Sequence, residues 1–140
     1  MLSKKTKYGL KAMIYIAKNY TEKPVLISEI AEKEHISQKF LESILLTLKK
    51  NELLASKKGK GGGYLMIKNP EDIAMVDIIR ILEGPIAMVP CVSLNFYKRC
   101  EDCQDEEACA VNELMIEVRD QTLKVLANKT LADFINKDIQ

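Results

Sequence analysis

Residues 36–66 read ISQKFLESILLTLKKNELLASKKGKGGGYLM, and this stretch decides the fold. Phe40, Leu41, Ile44, Leu45 and Leu48 recur at the i, i+1, i+4, i+5, i+8 spacing of one helix face, with Ser37 placed as the N-cap. Gln38, Lys39, Glu42, Ser43 and Lys49 fall off that face. Leu53, Leu54 and Ala55 then begin a strand, and Tyr64 to Ile67 return along it. The joining segment Lys57-Lys58-Gly59-Lys60-Gly61-Gly62-Gly63 turns tightly, since glycine accepts positive φ, and its clustered lysines favour an anionic surface.

Upstream, Ser28 is placed to cap a brief helix, Glu29 to Glu34, with Ile30 and Ala31 inward. The connection from Lys33 to Ile36 is short, so the two helices form a helix-turn-helix. His35 lies in the turn, where a histidine is ordinarily just solvated. Val25 to Ile27, after Pro24, reads as a short strand or extended segment. Nearer the N-terminus, Tyr8, Ala12, Met13, Ile16, Ala17 and Tyr20 repeat at helical spacing, which predicts a first core helix ending near Asn19. Its Lys4, Lys5 and Lys7 stand at the end where the helix dipole favours acidic residues; a phosphate partner or a solvated terminus would account for them. A helix-turn-helix followed by a hairpin is a winged helix, in which the second helix enters the major groove and the wing follows the backbone or probes the minor groove.

Downstream, Asn69-Pro70 ends the wing and Ile73 is placed to complete a small sheet. Val76, Ile79 and Leu82 mark a short helix stopped by Gly84-Pro85. Residues 86–108 show little periodicity and read as a loop. From about Glu106, Val111, Leu114, Met115, Val118, Thr122, Val125 and Leu126 form a long apolar stripe that needs a partner surface. Dimerisation through this helix is the preferred explanation, with packing across its own domain as the alternative. Thr130 then caps a final turn carrying Leu131, Phe134 and Ile135. The chain is expected to be mainly α with a small β-hairpin wing: a winged-helix domain over 1–85, a cysteine-containing sensor loop over 86–108, and a dimerisation helix with a C-terminal helical segment over 109–140.

With 140 residues and 47% hydrophobic side chains the chain has enough apolar material for a core. The net charge of +1 conceals a division at Lys68: residues 1–68 carry 14 lysines against 6 acidic residues, and residues 69–140 carry 7 basic against 14 acidic ones. The first part, at +8, suits a polyanion, and the second, at −7, does not. No apolar run approaches a membrane span and the N-terminus lacks the features of a secretory signal, so the expected place is the cytoplasm, with no membrane partner.

All four cysteines fall in a 19-residue window with the spacing Cys91-x8-Cys100-x2-Cys103-x5-Cys109. Clustered cytosolic cysteines are more often metal ligands or redox groups than structural disulfides. Four thiolates complete the ligation of one [2Fe–2S] or [4Fe–4S] cluster, or of one tetrahedral zinc, and metal-free thiols that form disulfides on oxidation are the third reading. Placement at a helix start favours the thiolate of Cys109. A thiol oxidoreductase built on Cys100 and Cys103 is disfavoured, because Glu101 and Asp102 between them raise thiol pKa values and no βαβ pattern surrounds them. A protein-interaction adaptor that has kept the winged helix without reading DNA is a further rival.

The segments KYGLKAMIYIA at 7–17, the stretch 36–66, IIRILEGPIA at 78–87 and the cysteine cluster before a long helix together resemble the Rrf2 family of bacterial transcription regulators over nearly the whole chain. The resemblance implies a winged-helix homodimer that binds palindromic operators in double-stranded DNA. It also implies one of two modes of control, since several members carry an iron–sulfur cluster while others lack the cysteines and respond to thiol metabolites or partner enzymes. Carried over by residue, it places Gln38, Lys39, Phe40 and Glu42 toward the major groove and Lys58 in the wing. With their basic and polar neighbours the expected DNA-binding set is Lys4, Lys5, Lys7, Ser37, Gln38, Lys39, Phe40, Glu42, Ser43, Lys57, Lys58, Lys60 and Tyr64. Glu42 makes sense among lysines if it accepts a hydrogen bond from cytosine N4; a weak surface ion pair is the alternative. At the cysteines this chain departs from the family. Well-known cluster-binding members have three cysteines and a histidine ligand where this chain has Asn112, and another group uses an aspartate where this chain has Thr6-Lys7-Tyr8. Cys100 would then serve as the fourth ligand beside Cys91, Cys103 and Cys109. All-cysteine ligation would lower the potential relative to a histidine-ligated cluster. The expected function is a sequence-specific DNA-binding regulator, not an enzyme, whose operator affinity follows cluster or cysteine redox state.

Overall fold

The computed structural model describes residues 2–19 and 23–136; Tyr20, expected on the inner face of the first helix, lies outside them. Helix α1 (Lys4–Lys18) begins at Ser3, whose hydroxyl accepts a hydrogen bond from the Thr6 amide at 3.2 Å, and ends at Asn19 as the periodicity predicts. Its buried face, with Ala12, Met13, Ile16 and Ala17, packs on α3 and α4. At Gly9 the approach of α4 is so close that a Cβ would collide with the Leu82 side chain.

Helix α2 (Ile27–Glu34) corrects the expected Ser28 cap. Leu26 is the N-cap, and its carbonyl accepts from the Glu29 and Ile30 amides at 3.1 and 3.2 Å without help from any side chain. The reason is tertiary: Val25 exchanges two backbone hydrogen bonds with Tyr64, at 2.7 and 2.8 Å, and this bridge sets the chain direction just ahead of the helix. The extended segment expected over 25–27 is thereby reduced to one bridged residue, Val25. His35 ends α2 in the left-handed region, with φ 55°, and is exposed. Helix α3 (Gln38–Lys50) follows, with Ser37 at the N-cap position but making no side-chain capping bond.

The wing is the antiparallel pair β1 (Leu54–Lys57) and β2 (Gly63–Met66), in a register that opposes Leu54 to Met66 and Lys57 to Gly63. Lys57 is thus a strand residue and the turn runs from Lys58 to Gly62. Leu53 and Ile67, expected in the strands, lie just outside them. Gly63 is required by contact as well as by its φ of 142°: a Cβ there would strike the Val25 carbonyl and break the bridge that holds the wing to α2.

Ile73 does not join the wing sheet. Its carbonyl accepts from the Leu131 amide and the Met75 amide donates to Lys129, each at 2.9 Å, so the C-terminal segment returns to pair here. Leu131, fully buried, follows Thr130, which forms a reciprocal capping box with Asp133. Helix α4 (Met75–Glu83) stops at Gly84, with φ 91°; an irregular segment with one 3₁₀ turn at Pro90–Val92 leads to helix α5 (Ala110–Ala127). No helix among the described residues is long and apolar enough to cross a membrane.

At the end of α4, Glu83 accepts hydrogen bonds from the Thr6 hydroxyl and from the Ser3 hydroxyl and amide, at 2.7 and 3.2 Å for the Ser3 pair. Thr6 is fully buried, so Glu83 satisfies a hydroxyl that water does not reach. These bonds, Thr6 first, hold the Glu83 carboxyl below its ordinary value of 4.5. Because the folded value lies below the unfolded one, the stabilisation is present above that ordinary value and is lost as pH falls through the folded value. Glu83→Gln is expected to cost on the order of 1 kcal/mol at neutral pH, and thermal melts of the two proteins should converge on acidification. Gly63→Ala is expected to lower stability by about 2 kcal/mol or more, read as a reduced urea midpoint.

Candidate nucleic-acid interface and cysteine recess

Leu41, Ile44, Leu45 and Leu48 of α3 have no exposed surface, and burying them turns the other side of the helix outward. Gln38, Lys39, Glu42 and Ser43 are exposed there. Phe40, counted by spacing with the buried face, sits at its border and is 37% exposed; its ring meets the edge of Tyr8 at a centroid distance of 5.8 Å. Ser37 is exposed at the head of the helix, and the Ser43 hydroxyl donates to the Phe40 carbonyl at 2.8 Å. Glu42 has no ion-pair partner among the described residues, so the carboxylate is not spent on a neighbouring lysine.

The Tyr8–Phe40 contact also places α1 beside this face. Lys4 and Lys7, both exposed, share a side of α1 with Tyr8, and Lys5 is half-buried. Lys11, half-buried, continues that side at i+7 from Lys4. Sequence reading passed over it, although the i, i+3, i+7 spacing of Lys4, Lys7 and Lys11 is a signal that finds it. In the wing, Lys57, Lys58 and Lys60 are exposed around a turn closed by the Gly62 amide donating to the Gly59 carbonyl at 2.9 Å. Tyr64 is half-buried against the core, with its backbone committed to Val25.

All four cysteines line one recess of about 400 Å³, together with Asp102, Asp105, Glu106 and Asn112. Cys91 comes from the 3₁₀ turn, Cys100 and Cys103 from the irregular segment, and Cys109 is the N-cap of α5, its sulfur accepting from the Asn112 amide at 3.4 Å. The Cys100 sulfur lies 3.9 Å from that of Cys91, which also accepts from the Asn112 carboxamide at 3.4 Å. Asn112, noted in the sequence only for the histidine it replaces, therefore reaches two of the four sulfurs. The segment is held by Arg99, which donates to the Cys103 and Gln104 carbonyls at 3.2 and 3.1 Å, and by Tyr97, whose hydroxyl donates to Glu106 at 2.5 Å. The hydrogen bond to Cys91, then the charge of Cys91 and of Asp102, push the Cys100 thiol up. A cation held in the recess would offset that effect on Cys100 by supplying the compensating charge. The donor set suits a thiophilic metal centre, although among the described residues no three His, Cys, Asp or Glu side chains are gathered as for a single ion.

Arg119 of α5 donates to the Val92 carbonyl at 2.9 Å, joining the helix to the turn that carries Cys91. No residue of α5 is buried. Met115 and Leu126 are half-buried, while Val111, Leu114 and Val125, along the outer edge of the same stripe, are 59%, 54% and 59% exposed. Beside them an apolar groove of about 580 Å³ opens between α4, residues 85–88 and α5.

The sequence model of the Rrf2 family, described as an iron-dependent transcriptional regulator, matches residues 2–137. A Rhodobacter capsulatus protein named as an rrf2-like HTH-type transcriptional regulator is 37% identical over 138 residues, covering 96% of this chain and 92% of that protein. The HTH-type transcriptional regulator IscR of Pectobacterium atrosepticum is 33% identical over 135 residues, covering 96% of this chain and 79% of that protein. The solved structure of CymR, the global cysteine regulator of Bacillus subtilis, superimposes with a TM-score of 0.81 at 34% identity, covering 99% of this chain and 98% of that one. These relatives are transcriptional regulators rather than enzymes, and the thiol oxidoreductase reading falls with that comparison. With the winged helix in place and the match running along nearly the whole chain, this protein belongs to the Rrf2 family of transcriptional regulators.

Proposed function

We propose that this regulator acts in the cytoplasm as a homodimer on a palindromic double-stranded operator, and that an iron–sulfur cluster held by Cys91, Cys100, Cys103 and Cys109 sets its affinity for that DNA. The observation that carries the proposal is the single recess lined by all four cysteines at the head of α5. In this reading residues 1–85 bind DNA, 86–108 sense, and 109–140 dimerise. Zinc is the weaker occupant. A tetrahedral site with zinc–sulfur bonds near 2.3 Å draws its sulfurs to about 3.8 Å from one another, and among the described cysteines only Cys91 and Cys100 are in such contact. A cluster does not require all four sulfurs to meet: a [2Fe–2S] centre takes them as two pairs, one on each iron, and a [4Fe–4S] centre takes one on each of four irons. When bound, the cluster supplies a centre whose charge and integrity respond to oxidants and to iron supply.

The chain's own residues do the rest. Lys4, Lys7, Lys11, Lys57, Lys58 and Lys60 neutralise phosphates, which sets affinity and its salt dependence but carries no sequence information. Gln38 and Glu42 are the base readers: an amide suits the adenine N6/N7 edge, and a carboxylate suits the cytosine N4 donor. Cys109 couples the two ends, because its sulfur accepts the hydrogen bond that starts α5. Any change in the state of that sulfur acts on the helix whose exposed stripe, Val111, Leu114 and Val125, would pair with a second copy, and so on the spacing of the two reading helices.

Protein purified without oxygen should be coloured and contain iron; a colourless protein that stays iron-free after anaerobic reconstitution would sink the cluster. For DNA, Lys58→Ala is expected to weaken binding across all sequences and reduce the slope of log affinity against log salt by about 1, whereas Glu42→Ala should cost about 1–3 kcal/mol at the preferred operator only. Competition binding on a randomised operator library separates the two effects. Leu114→Asp with Val125→Asp should give a folded monomer by light scattering, since both side chains are exposed within one chain.

A further inference from the structure

Of the six pairs that four cysteines can form, the structure brings one into contact, Cys91 with Cys100, at 3.9 Å between sulfurs. Among the described residues no other two cysteine sulfurs are in hydrogen-bonding contact. The Cys91 sulfur also accepts a hydrogen bond from the Asn112 carboxamide at 3.4 Å, which restrains it. Cys100 is exposed, and the recess opens to solvent. The C-x-x-C pair that the sequence singles out, Cys100 and Cys103, is joined instead by a backbone turn, the Cys103 amide donating to the Cys100 carbonyl at 3.2 Å.

We propose that Cys91 and Cys100 form a specific disulfide site: in the metal-free protein a neutral hydroperoxide joins these two sulfurs and leaves Cys103 and Cys109 reduced. Cys91, attacking as the thiolate, forms a sulfur–oxygen bond and breaks the oxygen–oxygen bond of the peroxide; the departing hydroxide takes up the thiol proton, so a Cys91 sulfenic acid and one water result. Cys100 then attacks that sulfur as it gives up its proton; the sulfur–sulfur bond forms, the sulfur–oxygen bond breaks, and the hydroxyl departs with the thiol proton as a second water. Two electrons leave the sulfur pair and hydrogen peroxide is reduced to water. A disulfide needs a sulfur separation of about 2.05 Å, which Cys100, on an exposed stretch of chain, reaches by moving toward the anchored Cys91. Asp102, Asp105 and Glu106 around the recess repel anionic oxidants and leave a small uncharged peroxide as the reagent that enters. The product withdraws two of the four thiols, so the oxidised chain no longer offers a four-cysteine site. The inference uses the same recess as the proposed cluster but is read on metal-free protein and does not require the cluster to exist.

The test is to strip the full-length protein with chelator, treat it with substoichiometric hydrogen peroxide, alkylate, digest and identify linked peptides by mass spectrometry. The expected product is a Cys91–Cys100 link with Cys103 and Cys109 alkylated. Cys103→Ser should retain the link. Cys100→Ser should abolish it and leave Cys91 trappable by dimedone as the sulfenic acid. A dominant Cys100–Cys103 or Cys103–Cys109 link, a link between chains, or four alkylated thiols would overturn the proposal. Iron and absorbance measured on anaerobically reconstituted protein before stripping keep the two ideas apart: a Cys91–Cys100 link in a chain that never takes up iron would leave this site standing and remove the cluster, and the reverse pattern would do the opposite.

Discussion

Burial of one side of α3 is the constraint on which the rest of this protein depends. Leu41, Ile44, Leu45 and Leu48 are wholly removed from water between α1, α2 and α4, each worth about 1.5–3 kcal/mol of transfer free energy. With those positions committed inward, helical geometry leaves Gln38, Lys39, Glu42 and Ser43 outward. Stability and recognition are therefore two faces of one helix, and the residues that read DNA in the proposed function are the ones the core cannot use. Phe40 stands at the boundary, half in each role, with its ring against Tyr8 and more than a third of its surface open.

The wing is fastened to this core by a narrow set of backbone contacts. Tyr64 pairs with Ser56 within the hairpin and with Val25 outside it, and the absence of a side chain at Gly63 lets the Val25 carbonyl come close. A two-stranded hairpin is marginal by itself in water. The Val25 bridge and the burial of Leu54 and Met66 give it a fixed platform, from which Lys58 and Lys60 project on a glycine turn. The charge division of the chain follows the same geography, with the lysine excess on the winged-helix elements and the acidic excess concentrated around the cysteines and α5.

The cysteine-bearing end is built on different physics. Residues 84–109 carry little regular structure, and their order comes from side chains reaching backbone: Arg99 to two carbonyls, Arg119 to Val92, Tyr97 to Glu106. Few of these residues are buried, so the segment has little hydrophobic energy holding it in one arrangement, a suitable property for a region that changes state. It is nevertheless tied to both neighbours, through Cys109 at the head of α5 and through the α4 terminus, where Glu83 satisfies the buried hydroxyl of Thr6.

Local pattern by itself determined the helices, the wing, the stripe on α5 and the spacing of the cysteines, because each depends on periodicities or turn residues within a few positions. The solved relatives and the family match agree with that winged-helix reading. Only the tertiary structure decided the start of α2, where the Val25–Tyr64 bridge overrides the cap expected at Ser28, and the partner of Ile73, which is the returning C-terminus rather than the wing. It also decided that the Asn112 side chain contacts Cys91, and that Cys91 rather than Cys103 is the sulfur beside Cys100. The first two outcomes and the Asn112–Cys91 contact join residues 21 or more positions apart, and the Cys91–Cys100 contact depends on the path of an irregular segment; neither a helical period nor a C-x-x-C spacing contains such distances.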